Sequence, residues 1–383
     1  MAKVRDKYLV VADRLSRRIR NGDYHVHGVP PERVLATQVG VSHATLRKSI
    51  QILLDAGLLV RQPNGRLAVA EAAEGGVSQK QVALLSPAWE SSEANFWNIG
   101  LAQLRDRFAF GSRMVHYTHG DDPVVFNTIR QFDTTFFLPP REPTEKYTRE
   151  LTKFDKPLIV LNDDWTPWGI RSLRMLPPVF IQRLLDHLAD LGHRRLACFN
   201  VQPKGAVIDL WIRQWDLWCA ANDMDGVLID EPVPSGTDTL AAAYQIMDRR
   251  IRAGQLTSTG VLCLTETAAL GMVRAMLDHG IRPGHDIAIC TVGSQRCEYL
   301  PITFTTLAEP DPKPYLAACL EWALGGDRAV WRGPLLVEPL DTQVVVRQST
   351  VPDIDRSLTP QRMRNDDVSQ EQSENANSKP TTF

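Results

Sequence analysis

The sequence predicts an α/β protein in two unequal parts, an N-terminal winged helix-turn-helix and a larger two-lobed body with parallel sheets. Three observations carry that prediction. Three short amphipathic helical stretches and a hairpin fill the first 70 residues, and strand-like and helical runs alternate from there to about residue 350. Charge divides along the same line. Residues 1–70 carry a net +7, residues 71–351 a net −7 and residues 352–383 a net −2, hidden within an overall formal charge of −2. A compact basic module on an acidic body is the pattern of a protein that touches a polyanion with one end.

The general composition sets the frame. With 383 residues, 43% apolar and 23% charged, the chain is long enough for two or three globular domains. It has no apolar run long enough to span a membrane. Lys3, Arg5 and Lys7 precede an apolar stretch, Tyr8–Ala12, that Asp13 and Arg14 cut short, so no secretion signal is expected and the cytoplasm is the expected location. Six cysteines (Cys198, Cys219, Cys263, Cys290, Cys297, Cys319) lack paired spacing, which predicts small buried thiols rather than a disulfide frame or a zinc site.

In the head, residues 6–21 read as a helix with Leu9, Ala12, Leu15 and Ile19 on one face, stopped by Asn21-Gly22. Pro30-Pro31-Glu32 opens a second helix whose apolar positions are Val34, Leu35 and Val39, ended by Gly40. Ser42 is an N-cap for a third, with Leu46, Ile50, Leu53 and Leu54 as its buried stripe and Gly57 as its stop. Two strand-like runs, Leu58–Arg61 and Arg66–Ala70, then flank the turn Pro63-Asn64-Gly65.

Only Gly40-Val41-Ser42 separates the second and third helices, the short turn of a helix-turn-helix unit. On the third helix Ala44, Arg47, Lys48 and Gln51 lie away from the apolar stripe and can face a DNA groove, with His43 and Thr45 in its first turn. Arg33 and Arg66 are candidates for phosphate or minor-groove contact. Each such residue alone fits a solvated surface equally well. Their joint placement on a basic module favours double-stranded DNA as the partner.

This stretch resembles the GntR family of bacterial transcription regulators. The resemblance rests on Val29-Pro30-Pro31-Glu32-Arg33-Val34-Leu35-Ala36, Val41-Ser42-His43-Ala44-Thr45-Leu46-Arg47 and Leu53-Leu54-Asp55-Ala56-Gly57-Leu58-Leu59, over about residues 5–70. It implies that Arg33, Thr45, Arg47 and the wing Gly65 sit at the DNA. Pro31 stands where the family usually has Ser, His43 where Arg is common, and the wing keeps one of two usual glycines. These departures bear on base preference rather than on the mode of binding.

Glu71–Lys80 is Ala-, Gly- and Glu-rich and reads as a linker. Beyond it, strand-like runs occur at Val82–Ser86, Met114–Tyr117, Thr135–Leu138, Leu158–Asn162, Leu196–Asn200, Val227–Ile229, Gly260–Leu264 and Ile287–Val292. Helical stretches at Asn98–Phe108, Pro178–Leu191, Thr239–Ala253 and Ala268–His279 lie between them. In open parallel sheets ligands bind beyond the carboxyl ends of the strands, and a cleft between lobes is the natural pocket. The residues following the strands are Trp89, Phe96 and Trp97, then Asp163, Asp164, Trp165 and Trp168, then Trp211, Arg213 and Trp215, then Glu266 and Ser294. Indole faces beside carboxylates and an arginine suit a sugar, rings covering C–H faces and charged groups bonding hydroxyls. Packing in the core is the competing expectation for each tryptophan.

A second resemblance, over about residues 80–350, is to the effector domain of the LacI/galactose-repressor family, itself like the periplasmic sugar-binding proteins. It rests on His187-Leu188-Ala189-Asp190-Leu191-Gly192-His193-Arg194-Arg195-Leu196-Ala197, on Ala268-Ala269-Leu270-Gly271-Met272 and on Val344-Val345-Val346-Arg347-Gln348-Ser349-Thr350. It implies a periplasmic-binding-protein-like body that holds a small effector, a sugar or nucleoside, between its lobes and forms a homodimer. With a GntR-type head, it also implies an arabinose-repressor type of architecture and a repressor. Glu266 and Gly293 stand where aspartates are usual, and Arg213 matches an expected arginine only loosely, which keeps a non-sugar ligand or a protein partner open.

The expected partition is 1–72 for the DNA-binding head, 73–80 for a linker, 81–351 for the effector-binding and dimerisation body, and 352–383 for a disordered polar tail. An enzyme on the α/β body is the weaker reading. The chain has no G-x-x-x-x-G-K-[ST], H-E-x-x-H or G-x-S-x-G, and no G-x-G-x-x-G after a strand. Its nine histidines lack metal spacing, so neither metal nor cofactor is expected.

Overall fold

The computed structural model describes residues 6–20, 23–24, 28–70, 80–88, 92–140, 143–293, 302–325 and 330–353. The expected linker at 73–80, apart from Lys80, which the structure places at the start of a strand, and most of the expected tail lie outside them, as do Trp89, Ser294 and Cys297.

The head contains α1 (Lys7–Arg20), α2 (Glu32–Val39) and α3 (His43–Asp55), then an antiparallel hairpin of β1 (Leu59–Arg61) and β2 (Leu67–Val69). Its core is Val11, Leu15, Ile19, Leu35, Ala36, Val39, Leu46, Ile50, Leu53, Leu59 and Leu67. Three positions expected inside lie elsewhere: Leu9 is 42% and Val34 47% exposed, and Leu54 is half-buried. Val11, Ala36 and Ser49 take the inner places. The reason is phase. Several apolar residues stand side by side on each helix, and only the packed partner decides which of them faces inward. Ser49 can be buried because its hydroxyl donates to the Tyr8 carbonyl (2.8 Å) and lies 3.1 Å from that of Thr45, tying α3 to α1.

The body has two six-stranded sheets. In the first, the order is β4 (Phe110–Tyr117), β3 (Lys80–Pro87), β5 (Thr134–Phe137), β6 (Leu158–Leu161), β7 (Arg171–Leu173) and β13 (Leu336–Val337), all parallel. In the second, β9 (Asp225–Asp230), β8 (Arg195–Asn200), β10 (Gly260–Cys263), β11 (Ala288–Thr291) and β12 (Thr305–Leu307) run parallel, and β14 (Val344–Val345) closes the order antiparallel to β12. The chain passes between lobes three times: after β7, after β12, and between β13 and β14. Helix α11 (Lys313–Leu324) therefore returns to pack in the first lobe with α4 (Ser92–Phe108).

The strands expected from apolar runs are present, whereas β7, β12, β13 and β14 carried no such run. They are two or three residues long and owe their conformation to the neighbours that supply their hydrogen bonds. The five described cysteines are free thiols. Cys198, Cys263, Cys290 and Cys319 are buried, and burial raises every one of these thiols, to about 12 for Cys319; half-buried Cys219 is raised to about 11. Among the described residues no helix is long and apolar enough to cross a membrane.

Candidate functional site

Two surfaces emerge, one on the head and one between the lobes. On α3, His43, Ala44, Arg47, Lys48 and Gln51 are all exposed and lie within about 140° of arc at 100° per residue. Ser42 sets the helix start: its hydroxyl accepts from the Thr45 amide (3.3 Å) and contacts the Thr45 hydroxyl at 2.9 Å. Thr45 is accordingly half-buried and part of the cap. Lys48 lies 5.7 Å from the centre of the Tyr8 ring, and Gln51 donates to Asp55 at 2.8 Å. In the wing the Gly65 amide donates to the Gln62 carbonyl at 2.8 Å, and Gly65 takes a φ of +79°, a conformation only glycine adopts without strain. The tip thus presents Arg66 on an exposed, tightly closed loop.

A residue that sequence reasoning did not single out organises this surface. Glu32, the first residue of α2 and mostly buried, meets Arg61 of the wing (2.9 Å), His43 (3.3 Å) and Arg47 (3.4 Å) of the reading helix. The hydrogen bond from Arg61 holds the Glu32 carboxyl below its ordinary value, outweighing the opposing effect of burial. One carboxylate thereby fixes wing and reading helix relative to each other, while 70% of the Arg47 side chain stays exposed. The available signal was that Glu32 is the lone acid between Asp23 and Asp55.

Between the lobes, a cavity of about 320 Å³ is lined by Pro143, Asp163, Asp164, Trp165 and Trp168 from the first lobe and by Gly205, Ala206 and Asp209 from the second. These residues follow β5, β6 and β8, at carboxyl ends of strands, as the sheet topology requires. Asn162, at a φ of +64°, turns the chain out of β6. Asp163 then accepts from the Trp165 indole N–H (3.0 Å) and the Asp164 amide (2.8 Å), and Asp164 accepts from the Thr166 hydroxyl at 2.6 Å. Trp168 packs edge-on to Trp165 with centroids 5.9 Å apart and remains 37% exposed, available to a ligand. Asp209 stands in the first turn of α8 (Ala206–Ala221).

Of the ligand residues read from the sequence, the structure brings Asp163, Asp164, Trp165 and Trp168 to this cavity and leaves Phe96, Trp97, Trp211, Arg213, Trp215 and Glu266 away from it, while Trp89 and Ser294 lie outside the described residues. Trp97 is fully buried between α4 and α11, and Phe96 is half-buried edge-on against it at 5.1 Å. Trp215 is 2% exposed in the core of the second lobe. Arg213 points outward on α8, and Glu266 starts α10 (Glu266–Asp278) without lining the cavity. Trp97 and Trp215 are therefore corrected to packing residues, since indoles on helices that cover a large sheet gain more by joining its core. A larger open groove of about 810 Å³ lies on the outside of the second lobe, remote from the strand ends. Within it Arg183 pairs with Asp341 (3.0 Å) and the Trp218 N–H donates to Asp186 (2.7 Å).

The geometry defines a class of protein: a winged helix-turn-helix joined to a two-lobed α/β body with a cavity between the lobes. Comparison with known proteins agrees. Residues 7–69 match the family described as bacterial regulatory proteins, gntR family, and residues 185–350 match the periplasmic binding protein-like domain. An uncharacterized HTH-type transcriptional regulator of Rhizobium meliloti (strain 1021) is 46% identical over 57 residues, 15% of this chain. The chain spans 23% of the length of that curated relative. Among solved structures, the Lac repressor dimer bound to operator and the anti-inducer ONPF is 16% identical, over 72% of this chain and 95% of that one, with a TM-score of 0.59. A LacI-family regulator from Arthrobacter sp. FB24 in complex with lactose is 18% identical, over 71% and 99%, with a TM-score of 0.58. At these identities the likeness is one of fold. The chain thus joins a stretch matching the gntR-family model to a body that matches the periplasmic binding protein-like domain and is similar in fold to the LacI-family structures.

Proposed function

We propose that this chain is a transcription regulator, most simply a homodimeric repressor acting in the cytoplasm, whose affinity for operator DNA is set by a small ligand held between its lobes. Residues 1–72 read DNA, with Arg33, His43, Thr45, Arg47, Lys48, Gln51, Gly65 and Arg66 at or near the duplex and Ser42 capping the reading helix. Residues 81–351 bind ligand and pair the subunits. The carrying observation is the exposed reading face held in register with the wing by Glu32. The ligand acts by binding one lobe arrangement better than another, which shifts the population of head positions.

The cleft's chemistry narrows the ligand. Asp163, Asp164 and Asp209 accept hydrogen bonds, the Trp168 ring offers a stacking face, and among the described residues no cation lines the cavity. A neutral sugar fits, and a phosphorylated one meets repulsion. An amine-bearing ligand, such as an amino sugar, is the second reading, favoured by the three carboxylates. The test has two parts. The full chain is used to select duplexes from a random library, with Arg47→Ala expected to abolish enrichment. Thermal shift against neutral, amino and phosphorylated sugars should then raise the melting temperature for a neutral or amino member. No enriched duplex overturns the regulator reading, and shifts only from phosphorylated sugars overturn the ligand assignment.

A further inference from the structure

We propose that the head is seated on the first lobe at the outer edge of its sheet, and that Gln81 and Arg113 are positioning residues that fix the orientation of the DNA-reading surface to that lobe. The inference rests on the regulator reading for its purpose but on separate contacts for its existence. Gln81, the second residue of β3, is only 3% exposed, and its side-chain Nε2 donates to the carbonyl of Arg20, the last residue of α1, at 3.0 Å. Two strands' geometry makes room for that reach. Gly111 on the outermost strand β4 is paired with Gln81, and a Cβ there would stand 2.6 and 2.7 Å from the Gln81 amide atoms. Only glycine at 111 lets the Gln81 amide occupy its observed place.

A second contact lies beside the first. Arg113, two residues along β4, places Nη1 3.6 Å from Asp23 of the head, and Asp23 also takes Arg18 at 2.9 Å. Arg18 in turn lies over the ring of Tyr24, 5% exposed in the head's core. On the body side, Asp133 accepts from the Gln81 amide (2.8 Å) and from Lys80 (3.2 Å), which anchors the start of β3. Head core, α1 terminus, β3 and β4 thus form one connected set of contacts in addition to the covalent chain. A covalent link joins positions, whereas these paired contacts also fix an angle.

The seat uses the end of α1 and leaves the reading helix uncovered, with Arg47 still 70% exposed. The seated head is therefore competent for DNA, and a rotation of the first lobe relative to the second carries the reading face with it. In a two-headed molecule such a rotation changes the spacing of the heads, and spacing is what paired half-sites test.

The experiment uses the full chain. Small-angle X-ray scattering compares wild type with Arg113→Ala, Arg113→Lys, Gln81→Glu and a surface control, Arg107→Ala. Gln81→Glu keeps shape but sets an acceptor against the Arg20 carbonyl, and Arg113→Ala removes a partly exposed side chain that the fold tolerates losing. The expected result is a larger radius of gyration for Gln81→Glu and Arg113→Ala, wild-type scattering for Arg107→Ala, and recovery in Arg113→Lys. With the selected duplex and any shifting sugar, the same two variants should keep duplex binding while the ligand-induced change in affinity falls towards onefold. Variants indistinguishable from wild type in scattering, or a wild type whose scattering requires many head positions, overturn the seat. A wild type that enriches no duplex overturns the regulator reading instead, and the scattering comparison still judges the seat.

Discussion

The head and the body spend their conspicuous side chains in opposite ways. On the head, the arginines that stood out in the sequence are on the surface, with Arg33 and Arg66 exposed and 70% of the Arg47 side chain in solvent. In the body the conspicuous residues were tryptophans, and Trp97, Trp165, Trp211, Trp215 and Trp218 are all 8% exposed or less, whereas Trp168, at the cavity beside Trp165, is 37% exposed. The difference has a plain cause. A charged group stays in water unless something costly is arranged for it, so local pattern suffices to place it. An indole joins a core whenever one is within reach, and reach is a tertiary property.

Substitutions can break or sharpen that contrast. The largest effect is expected from Trp165→Ala, with about 3–5 kcal/mol of stability lost because a filled core site becomes a cavity; Trp97→Ala should match it. Denaturant titration checks both, and a loss under about 1 kcal/mol in either would mean that these indoles are not packing residues. Next comes Arg47→Ala, expected to leave the melting temperature unchanged while weakening duplex binding by about 1–3 kcal/mol, roughly 5- to 150-fold. A titration with the selected duplex decides it.

Trp168→Ala should move stability by only about 0.5 kcal/mol, as exposed positions do. It should nevertheless remove the ligand-induced thermal shift, which Trp97→Ala at a permissive temperature should retain. Retention of the shift in Trp168→Ala would place the ligand elsewhere. The least disruptive change to function is Glu32→Gln, expected to cost under about 1 kcal/mol of stability at neutral pH, since its partners are largely solvated. Because the folded-state value of Glu32 is depressed below 4.5, its contribution is present above that pH and disappears as pH falls through the lower folded value. Denaturation curves of wild type and Glu32→Gln should converge on the acid side. The variant should also bind unselected duplex more tightly at low salt, because one negative charge has left the reading face.

The head was legible almost element by element because its signals are local: a capping serine, a turn with Gly65, an apolar stripe of period 3.6. What failed there was phase, as Leu9 and Val34 show, and the part played by Glu32, whose partners His43, Arg47 and Arg61 are distant in sequence. In the body the long strands were legible and the two- and three-residue strands were not. Asp163 and Trp165 were found from their place after a strand, and Asp209 was missed because the turn of α8 that carries it faces the first lobe only once the lobes meet.

The amino-acid order alone determined the basic reading helix, the wing and the alternation that builds parallel sheets, because hydrogen bonding and hydropathy over a few neighbouring residues are enough to specify them. Tertiary structure decided which tryptophans line the cleft, which acid binds the reading arginines together and where the head rests on its receptor. Those outcomes depend on surfaces brought together from remote segments, and their free energy exists only once both sides are in place.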